Sequence, residues 1–175
     1  PQKQLISSDI MLVREDKTDF SGLVNQNSRY FLQIQNGCDH RCTFCVIPYG
    51  RGNSRSVSVN KILDNVNEAL QNNFKEIVLT GVDLTSWGKE LLGEDYSLGF
   101  LVKKILNEFK TLPRLRVSSI DPAEIDYELM EVLEHDYRFM PHLHLSIQHG
   151  DDLILKRMKR RHLYRDVINF VKEAK

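Results

Sequence analysis

The residues best suited to chemistry are three cysteines, Cys38, Cys42 and Cys45, and the 175-residue chain has no others. An odd number packed this closely is a poor disulfide framework, and it indicates metal binding or redox chemistry in a reducing compartment, so we expect a cytoplasmic protein. Thiolates are soft ligands, so three of them on one short loop can hold three irons of a cubane iron–sulfur cluster. The fourth iron of such a cluster stays open to another ligand.

Zinc is the simplest alternative to a cluster, with His40 as the fourth ligand of the ion. Structural zinc usually takes its cysteines from two Cys-x2-Cys-like hooks, and the sequence has no second hook. Cysteines that bind no metal at all are a further alternative. The spacing therefore favours the cluster and leaves both alternatives open.

The segments around the cysteines alternate between strand and helix patterns. Short apolar runs predict four strands, over residues 30–34, 76–80, 115–119 and 142–146. Amphipathic stretches predict helices that begin near Ser58, Ser97, Asp126 and Asp151 or Asp152, and a last helix around residues 164–171. This alternation predicts an α/β fold of parallel strands, and about four βα units make only a partial, TIM-like (β/α) barrel. We assign that fold to residues 29–175 and expect residues 1–28 to be a linker or edge segment.

The composition excludes several classes of protein. Hydrophobic residues make up 41% of the chain, which is normal for a globular interior and too many for intrinsic disorder. No apolar run approaches the roughly 20 residues that a membrane-spanning helix needs, so we expect no membrane partner. Lys and Arg (24) balance Asp and Glu (24), so an RNA contact would have to come from a local basic cluster.

The cysteine motif, with Phe44 before its last cysteine, resembles the signature of the radical S-adenosylmethionine (SAM) superfamily. The flanking segments resemble the methylthiotransferases of that superfamily and are spread over residues 30–161, which is most of the chain. These segments are residues 34–38, 46–52, 54–56, 79–84, 118–122, 141–145, Gln148 and 154–161.

The resemblance implies a cofactor set and a reaction. Cys38, Cys42 and Cys45 would hold a 4Fe-4S cluster, the amino acid end of SAM would bind the open iron, and reductive cleavage of SAM would release a 5′-deoxyadenosyl radical. Residues 51–56, 79–84 and 118–122 resemble the branch that adds a methylthio group at C2 of threonylcarbamoyladenosine, beside the anticodon of tRNA. The implied partners are this tRNA and a reductant such as flavodoxin or ferredoxin.

Three other functions stay open. Two are the methylthiotransferase branches that act on isopentenyladenosine in tRNA or on an aspartate of a ribosomal protein, and the third is a non-enzymatic metal-binding scaffold. Methylthiotransferases also carry an N-terminal domain with an auxiliary cluster on three further cysteines, and a C-terminal RNA-binding TRAM domain. The sequence matches neither, so we expect a central radical SAM domain that is incomplete for full turnover.

The resemblance also implies roles for residues at the ends of the predicted strands. The backbone at Thr80 and Gly81 would meet the SAM amino group, where glycine allows close approach. Either Ser118 or Ser119 would bind the ribose or the carboxylate of SAM. Only one of the two serines would do so, since successive residues of a strand face opposite sides. Gln148 would contact the ribose of SAM, and Arg160 would pair with the SAM carboxylate.

Other residues are candidates for RNA binding or for the core. Tyr49 is a candidate for stacking on a base, and Arg51, Arg55 and the basic run 156–161 for contacts with phosphates. For His142 and His144, which share one face of a predicted strand, we expect hydrogen-bonded interior positions. Trp87 fits either the wall of the SAM site or the core.

Overall fold

The computed structural model describes residues 9–13, 28–92 and 96–174. The strands are β1 (Arg29–Gln33), β2 (Gln35–Asn36), β3 (Arg55–Ser56), β4 (Glu76–Thr80), β5 (Leu115–Val117), β6 (Ser119–Ile120) and β7 (His144–Leu145). The α-helices are α1 (Ile47–Arg51), α2 (Val59–Gln71), α3 (Lys89–Leu92), α4 (Leu98–Glu108), α5 (Tyr127–His135), α6 (Asp152–Arg157) and α7 (Tyr164–Glu173). Short 3-10 helices form at Ile10–Leu12 and Leu84–Ser86. Within this part of the chain, no helix has the length and apolar character to cross a bilayer.

The central sheet is parallel, with strand order β1-β4-β5. A separate parallel pair, β6 with β7, continues the βα alternation. Parallel strands joined through helices confirm the predicted α/β fold, and they form part of a barrel rather than a closed one. The antiparallel pair β2 with β3, which the sequence did not predict, brackets the cysteine loop.

Two predicted strands differ from the observed ones. The strand predicted over residues 115–119 is two strands, because β5 pairs with β4 whereas β6 pairs with β7. The strand predicted over residues 142–146 forms a ladder only at His144–Leu145. Most of the predicted linker, residues 1–28, lies outside the described residues. Ile10 is one of the residues of this segment that the structure describes. Its carbonyl lies against Gly52, next to the end of α1.

The helices α2, α4, α5, α6 and α7 begin where the sequence predicts, whereas the short helices α1 and α3 are not predicted. Ser97, Asp126 and Asp151 occupy the N-cap positions of α4, α5 and α6, and each side chain accepts a hydrogen bond from the backbone N–H three residues later. Ser58 precedes α2 in the same way but makes no capping hydrogen bond through its side chain. The caps therefore fix the directions in which the helices leave the strand ends.

The core lies between the central sheet and the helices that cover it. Ile77 and Leu79 of β4 are completely buried, as are Ile62 of α2 and Leu101 of α4. Trp87 is also completely buried, and its Nε1 donates a hydrogen bond to the Val57 carbonyl at 3.0 Å. Trp87 is therefore a core residue, and it anchors the segment that follows β4 beside the cysteine loop.

Candidate metal centre

All three cysteines line one cavity of about 210 Å³, at the carboxyl ends of the strands. Cys38 is buried, Cys42 and Cys45 are partly exposed, and all three are free thiols. Such strand ends are where α/β folds place their chemistry. A larger groove of about 620 Å³ lies between α5, β7 and α7, but none of its lining residues is a cysteine.

The backbone around Gly37 sets the start of the cysteine loop. Gly37 has φ of +70°, and a Cβ added there would lie 1.9 Å from the carbonyl oxygen of Asn53. Only glycine fits this close approach. The next residue, Cys38, donates its backbone N–H to the Gly52 carbonyl at 3.1 Å, which closes the loop against the segment after α1.

Gln35 connects the cysteine loop to the segment after β4. This residue is completely buried, and its Nε2 donates to the Gly37 carbonyl at 2.8 Å. Its Oε1 accepts hydrogen bonds from the backbone N–H groups of Val82 at 3.0 Å and Asp83 at 2.8 Å. One amide side chain therefore fixes two loops that line the cavity. One sign of this role is visible in the sequence, because Gln35 is a polar residue that follows an apolar strand and directly precedes Asn36-Gly37.

Cys38 lies beside a buried pair of charged groups. Its Sγ is 3.6 Å from the Oδ2 of Asp83, and that oxygen lies 3.0 Å from the Nε2 of His40. The second contact is an ion pair rather than a hydrogen bond, because no acceptor among the described residues meets the hydrogen-bond geometry at His40 Nε2. Burial, followed by the Asp83 charge, raises the pKa of Cys38 to about 12, so its sulfur stays protonated until a metal displaces the proton.

His40 lies between two carboxylates. Contacts with Asp83 and Glu124 raise the pKa of His40 to about 9, against the effect of burial. Burial would raise the pKa of Asp83, but the contact with His40 and a hydrogen bond from Ser86 outweigh it and lower that pKa. The contact with His40 lowers the pKa of Glu124 to about 2. Burial would raise this pKa, but the charges of two neighbouring cations lower it as well. At neutral pH this wall of the cavity therefore carries an imidazolium between two carboxylates.

A second buried ion pair, between Arg160 and Asp121, also lines the cavity. The Nη2 of Arg160 lies 2.5 Å from the Oδ2 of Asp121, and each side chain is 8% exposed. Arg160 also reaches the cysteine loop, where its Nη1 lies 3.7 Å from the Sγ of Cys42. Sequence reasoning had singled out Arg160 but not Asp121, Asp83 or the role of Gln35, because their contacts join residues far apart in the chain.

The structure brings some of the predicted SAM-binding residues to the cavity and not others. Ser119, Gln148 and Arg160 line it. Gln148 adopts a positive φ of 70° there, a conformation that is uncommon outside glycine and often found at functional sites. Within the described residues, the lining does not include Thr80, Gly81 or Ser118.

Gly81 and Thr80 contact neighbouring strands instead. A Cβ on Gly81 would lie 3.0 Å from the Oε1 of Gln35, so this glycine makes room for the amide that joins the two loops. The Thr80 carbonyl accepts the N–H of Ile34 at 2.9 Å. Both residues therefore support the segments that line the cavity but do not line it themselves.

The predicted RNA-binding residues differ in accessibility. Tyr49 is 69% exposed, and Arg51 is exposed as well. Arg55 is only 5% exposed, and its Nη1 donates to the carbonyls of Arg51 and Asn53, each at 2.9 Å. Burial and these bonds give Arg55 a structural role in the loop, which argues against the predicted contact with phosphates.

His142 and His144 are exposed, so the interior positions predicted for them are wrong. His144 makes one side-chain contact, between its Nδ1 and the Oγ of Ser119 at 3.1 Å. Two-residue periodicity placed both rings on one face of a strand, but it could not tell which elements cover that face.

The structure does not gather a zinc site from His40 and all three cysteines. Among the described residues, the tight group of possible ligands is Cys38, His40 and Asp83, whose ligand atoms lie within 4.8 Å of one another. Cys42 and Cys45 are outside it. A cubane binds each thiolate to a different iron, so its ligands need not crowd around one point as those of a single ion do. Three free thiols on one cavity therefore fit a cluster better than they fit zinc.

Comparison with known proteins places this geometry among SAM-dependent radical enzymes. A family model described as the radical SAM superfamily matches residues 32–175. The threonylcarbamoyladenosine tRNA methylthiotransferase MtaB of Rickettsia prowazekii is 47% identical over 168 residues, which is 96% of this chain and 40% of the relative. The tRNA-2-methylthio-N(6)-dimethylallyladenosine synthase of Anaplasma marginale is 34% identical over 156 residues, which is 87% of this chain and 34% of that relative. The chain thus spans less than half the length of either relative.

A solved structure shares the fold. The radical S-adenosylmethionine methyltransferase TsrM from Kitasatospora setae, with cobalamin and a 4Fe-4S cluster bound, has a TM-score of 0.64 and 15% identity. The match covers 82% of this chain and 28% of that chain. At this identity the likeness concerns the fold alone, and it agrees with the parallel α/β architecture predicted from the sequence.

Proposed function

Because the chain belongs to the radical SAM superfamily, we propose that it takes part in the methylthiolation of tRNA at C2 of threonylcarbamoyladenosine. The observation that carries the proposal is the set of three free thiols on one cavity, in a chain 47% identical to a threonylcarbamoyladenosine tRNA methylthiotransferase. The protein is then a transferase that uses a 4Fe-4S cluster and SAM.

The residues present fit these cofactors. Cys38, Cys42 and Cys45 would hold the cluster, and Cys38 gives up its proton on binding because a metal-bound thiol is deprotonated. When bound, the cluster and SAM supply an electron and a sulfonium whose reductive cleavage starts radical chemistry. Cys38 is buried, and the side chains of the two neighbouring ion pairs are 8% exposed.

The charges on the cavity walls fit the amino acid end of SAM, which is a zwitterion. Asp83 and Arg160 both line the cavity, and they offer a carboxylate to an ammonium group and a guanidinium to a carboxylate. Ser119 and Gln148 line the same cavity and offer a hydroxyl and an amide to the ribose. The cavity therefore holds complementary groups for the amino acid end of SAM and for its ribose.

The tRNA would approach from the cavity mouth. Tyr49 is exposed and can stack on a base, and Arg51, whose Nη1 donates to the Oδ1 of Asn36 at 3.4 Å, is exposed and can also contact a phosphate. Phe44 is 55% exposed and lines the cavity, so it joins this surface to the site. A one-electron protein donor such as flavodoxin or ferredoxin would supply the electron, and the reaction would take place in the cytoplasm.

Nucleoside analysis of tRNA from cells with the gene intact and disrupted tests the proposal. We expect disruption to remove the methylthio group from threonylcarbamoyladenosine. A wild-type gene should restore it, and a gene carrying Cys42→Ser should not. Loss from isopentenyladenosine instead would assign the chain to the branch of the Anaplasma relative. Both modifications persisting in the disrupted strain would contradict a role in tRNA.

A further inference from the structure

The guanidinium of Arg160 is held in one place by two acceptors. Its Nη2 lies 2.5 Å from the Oδ2 of Asp121 and 2.9 Å from the carbonyl oxygen of Ser146. Asp121 also accepts the backbone N–H of Ala123 at 3.1 Å. Because both side chains of the pair are only 8% exposed, water competes little for these contacts. The guanidinium therefore has little freedom to turn.

His162 supports the carboxylate from the side away from Arg160. The imidazole is completely buried, its Nδ1 lies 3.3 Å from the Oδ1 of Asp121, and its Nε2 lies 3.0 Å from the Ile147 carbonyl. Each oxygen of Asp121 thus has its own side-chain partner, one cationic guanidinium and one ring nitrogen. This arrangement fixes the carboxylate and, through it, the orientation of Arg160.

The fixed guanidinium points one N–H group at a cluster ligand. With Nη2 committed to two oxygen atoms, Nη1 lies 3.7 Å from the Sγ of Cys42. The backbone N–H of Thr43 donates to the Met158 carbonyl at 3.3 Å, so the cysteine loop is tied to the segment that carries Arg160. A hydrogen bond to a ligand sulfur stabilises the more negative, reduced state of a cluster, and this raises its reduction potential.

We propose that Arg160 donates a hydrogen bond to the Cys42 sulfur and thereby raises the reduction potential of the cluster, so that a one-electron protein donor reduces it more readily. This role is separate from binding of the SAM carboxylate, and it operates without SAM. It rests on the proposed function, because it requires a cluster on Cys38, Cys42 and Cys45.

The variant Arg160→Lys isolates the hydrogen bond from the charge. Lysine keeps a cation for Asp121, but its compact ammonium cannot bridge Asp121 and Cys42 as a planar guanidinium does. We expect the one-electron equilibrium for reduction, measured by redox titration of the cluster-loaded protein without SAM, to become about tenfold less favourable, a shift of about 59 mV to more negative potential. Arg161→Lys is the matched control, since Arg161 pairs with Glu124 and is 47% exposed.

The outcomes separate this inference from the proposed function. A negative shift in Arg160→Lys, with Arg161→Lys like wild type, supports it, and Arg160→Gln should shift the potential at least as far because it also loses the cation. An unchanged potential in Arg160→Lys, or equal shifts in both lysine variants, overturns it. Loss of the cluster from both Arg160 variants also overturns it, since Arg160 would then be needed for assembly. Failure of the wild-type protein to bind any cluster would instead contradict the proposed function.

Discussion

Replacing Cys42 with serine is expected to abolish incorporation of the cluster while leaving the α/β fold intact. A serine hydroxyl is a hard, weakly acidic group that does not replace a thiolate on iron. Cys42 is partly exposed on a loop, so we expect the free energy of unfolding of the metal-free protein to change by less than about 1 kcal/mol. Iron and sulfide analysis after oxygen-free reconstitution, beside urea denaturation, measures both quantities.

Thr43→Ala is the control for this substitution. Thr43 is the neighbour of Cys42 and is exposed. Its side chain makes one hydrogen bond, to the Arg157 carbonyl at 3.3 Å, so its loss should leave iron binding at the wild-type level. Wild-type iron content in Cys42→Ser would remove Cys42 from the ligand set and contradict the assignment.

Glu76→Gln is expected to lower the free energy of unfolding at pH 7 by about 2 kcal/mol. The Glu76 side chain is 5% exposed at the start of the central strand β4, and its carboxylate lies 3.0 Å from Nε atoms of Arg29, Arg114 and Arg116. Removing one member of a buried pair costs about 3–5 kcal/mol, and the estimate here is smaller because the arginines turn partly to solvent once the charge is lost. Urea denaturation at pH 7 measures the difference.

The pH dependence of that loss has a defined sign. Burial alone would raise the pKa of Glu76, but the hydrogen bonds of Arg116 and Arg114 and the charge of Arg29 outweigh it and lower the pKa. A carboxyl with a lowered folded-state pKa stabilises the fold above its unfolded pKa of about 4.3 and loses that contribution as pH falls through the folded value. The difference in the free energy of unfolding between wild type and Glu76→Gln should therefore be largest at neutral pH and should disappear in acid. Glu108→Gln, which removes an exposed partner of Lys104, is the control and should cost little at any pH. A difference in the free energy of unfolding that grows as the pH falls would rule out this explanation.

The sequence predicted the parts of the molecule that depend on local pattern. The cysteine spacing predicted that the three thiols lie together, and they line one cavity; N-cap residues such as Ser97 and Asp126 marked where helices begin. Apolar residues located the strands β1 and β4. β4 is a short apolar run that is buried along most of its length, whereas β1, at the edge of the sheet, alternates exposed and buried residues. These signals are carried by neighbouring residues and need no knowledge of the tertiary fold.

Strand partners were not predictable in the same way. The segment 115–119 is predicted as one strand, yet Ser118 still donates its N–H to the Leu79 carbonyl while Ser119 already pairs with His144 in another sheet. Which neighbour a strand adopts is decided by packing across the molecule, and the pattern of a single strand does not encode it.

The polar contacts that build the site were beyond sequence reasoning for a related reason. Gln35 bonds to Asp83 across 48 positions, and Asp121 pairs with Arg160 across 39. Glutamine, aspartate and arginine are usually exposed, so nothing local distinguishes a buried member of such a pair from a solvated one. Arg55 shows the converse, since a basic residue that was expected to meet RNA is buried against backbone carbonyls.

The most direct test of the account is electron paramagnetic resonance of the reduced, oxygen-free wild-type protein, recorded before and after addition of SAM. If Cys38, Cys42 and Cys45 hold a cubane with one iron open, the spectrum should show a reduced 4Fe-4S cluster, and SAM should change that spectrum by binding the open iron. A protein that carries stoichiometric zinc and no cluster, or a cluster whose spectrum SAM leaves unchanged, would contradict the central claim.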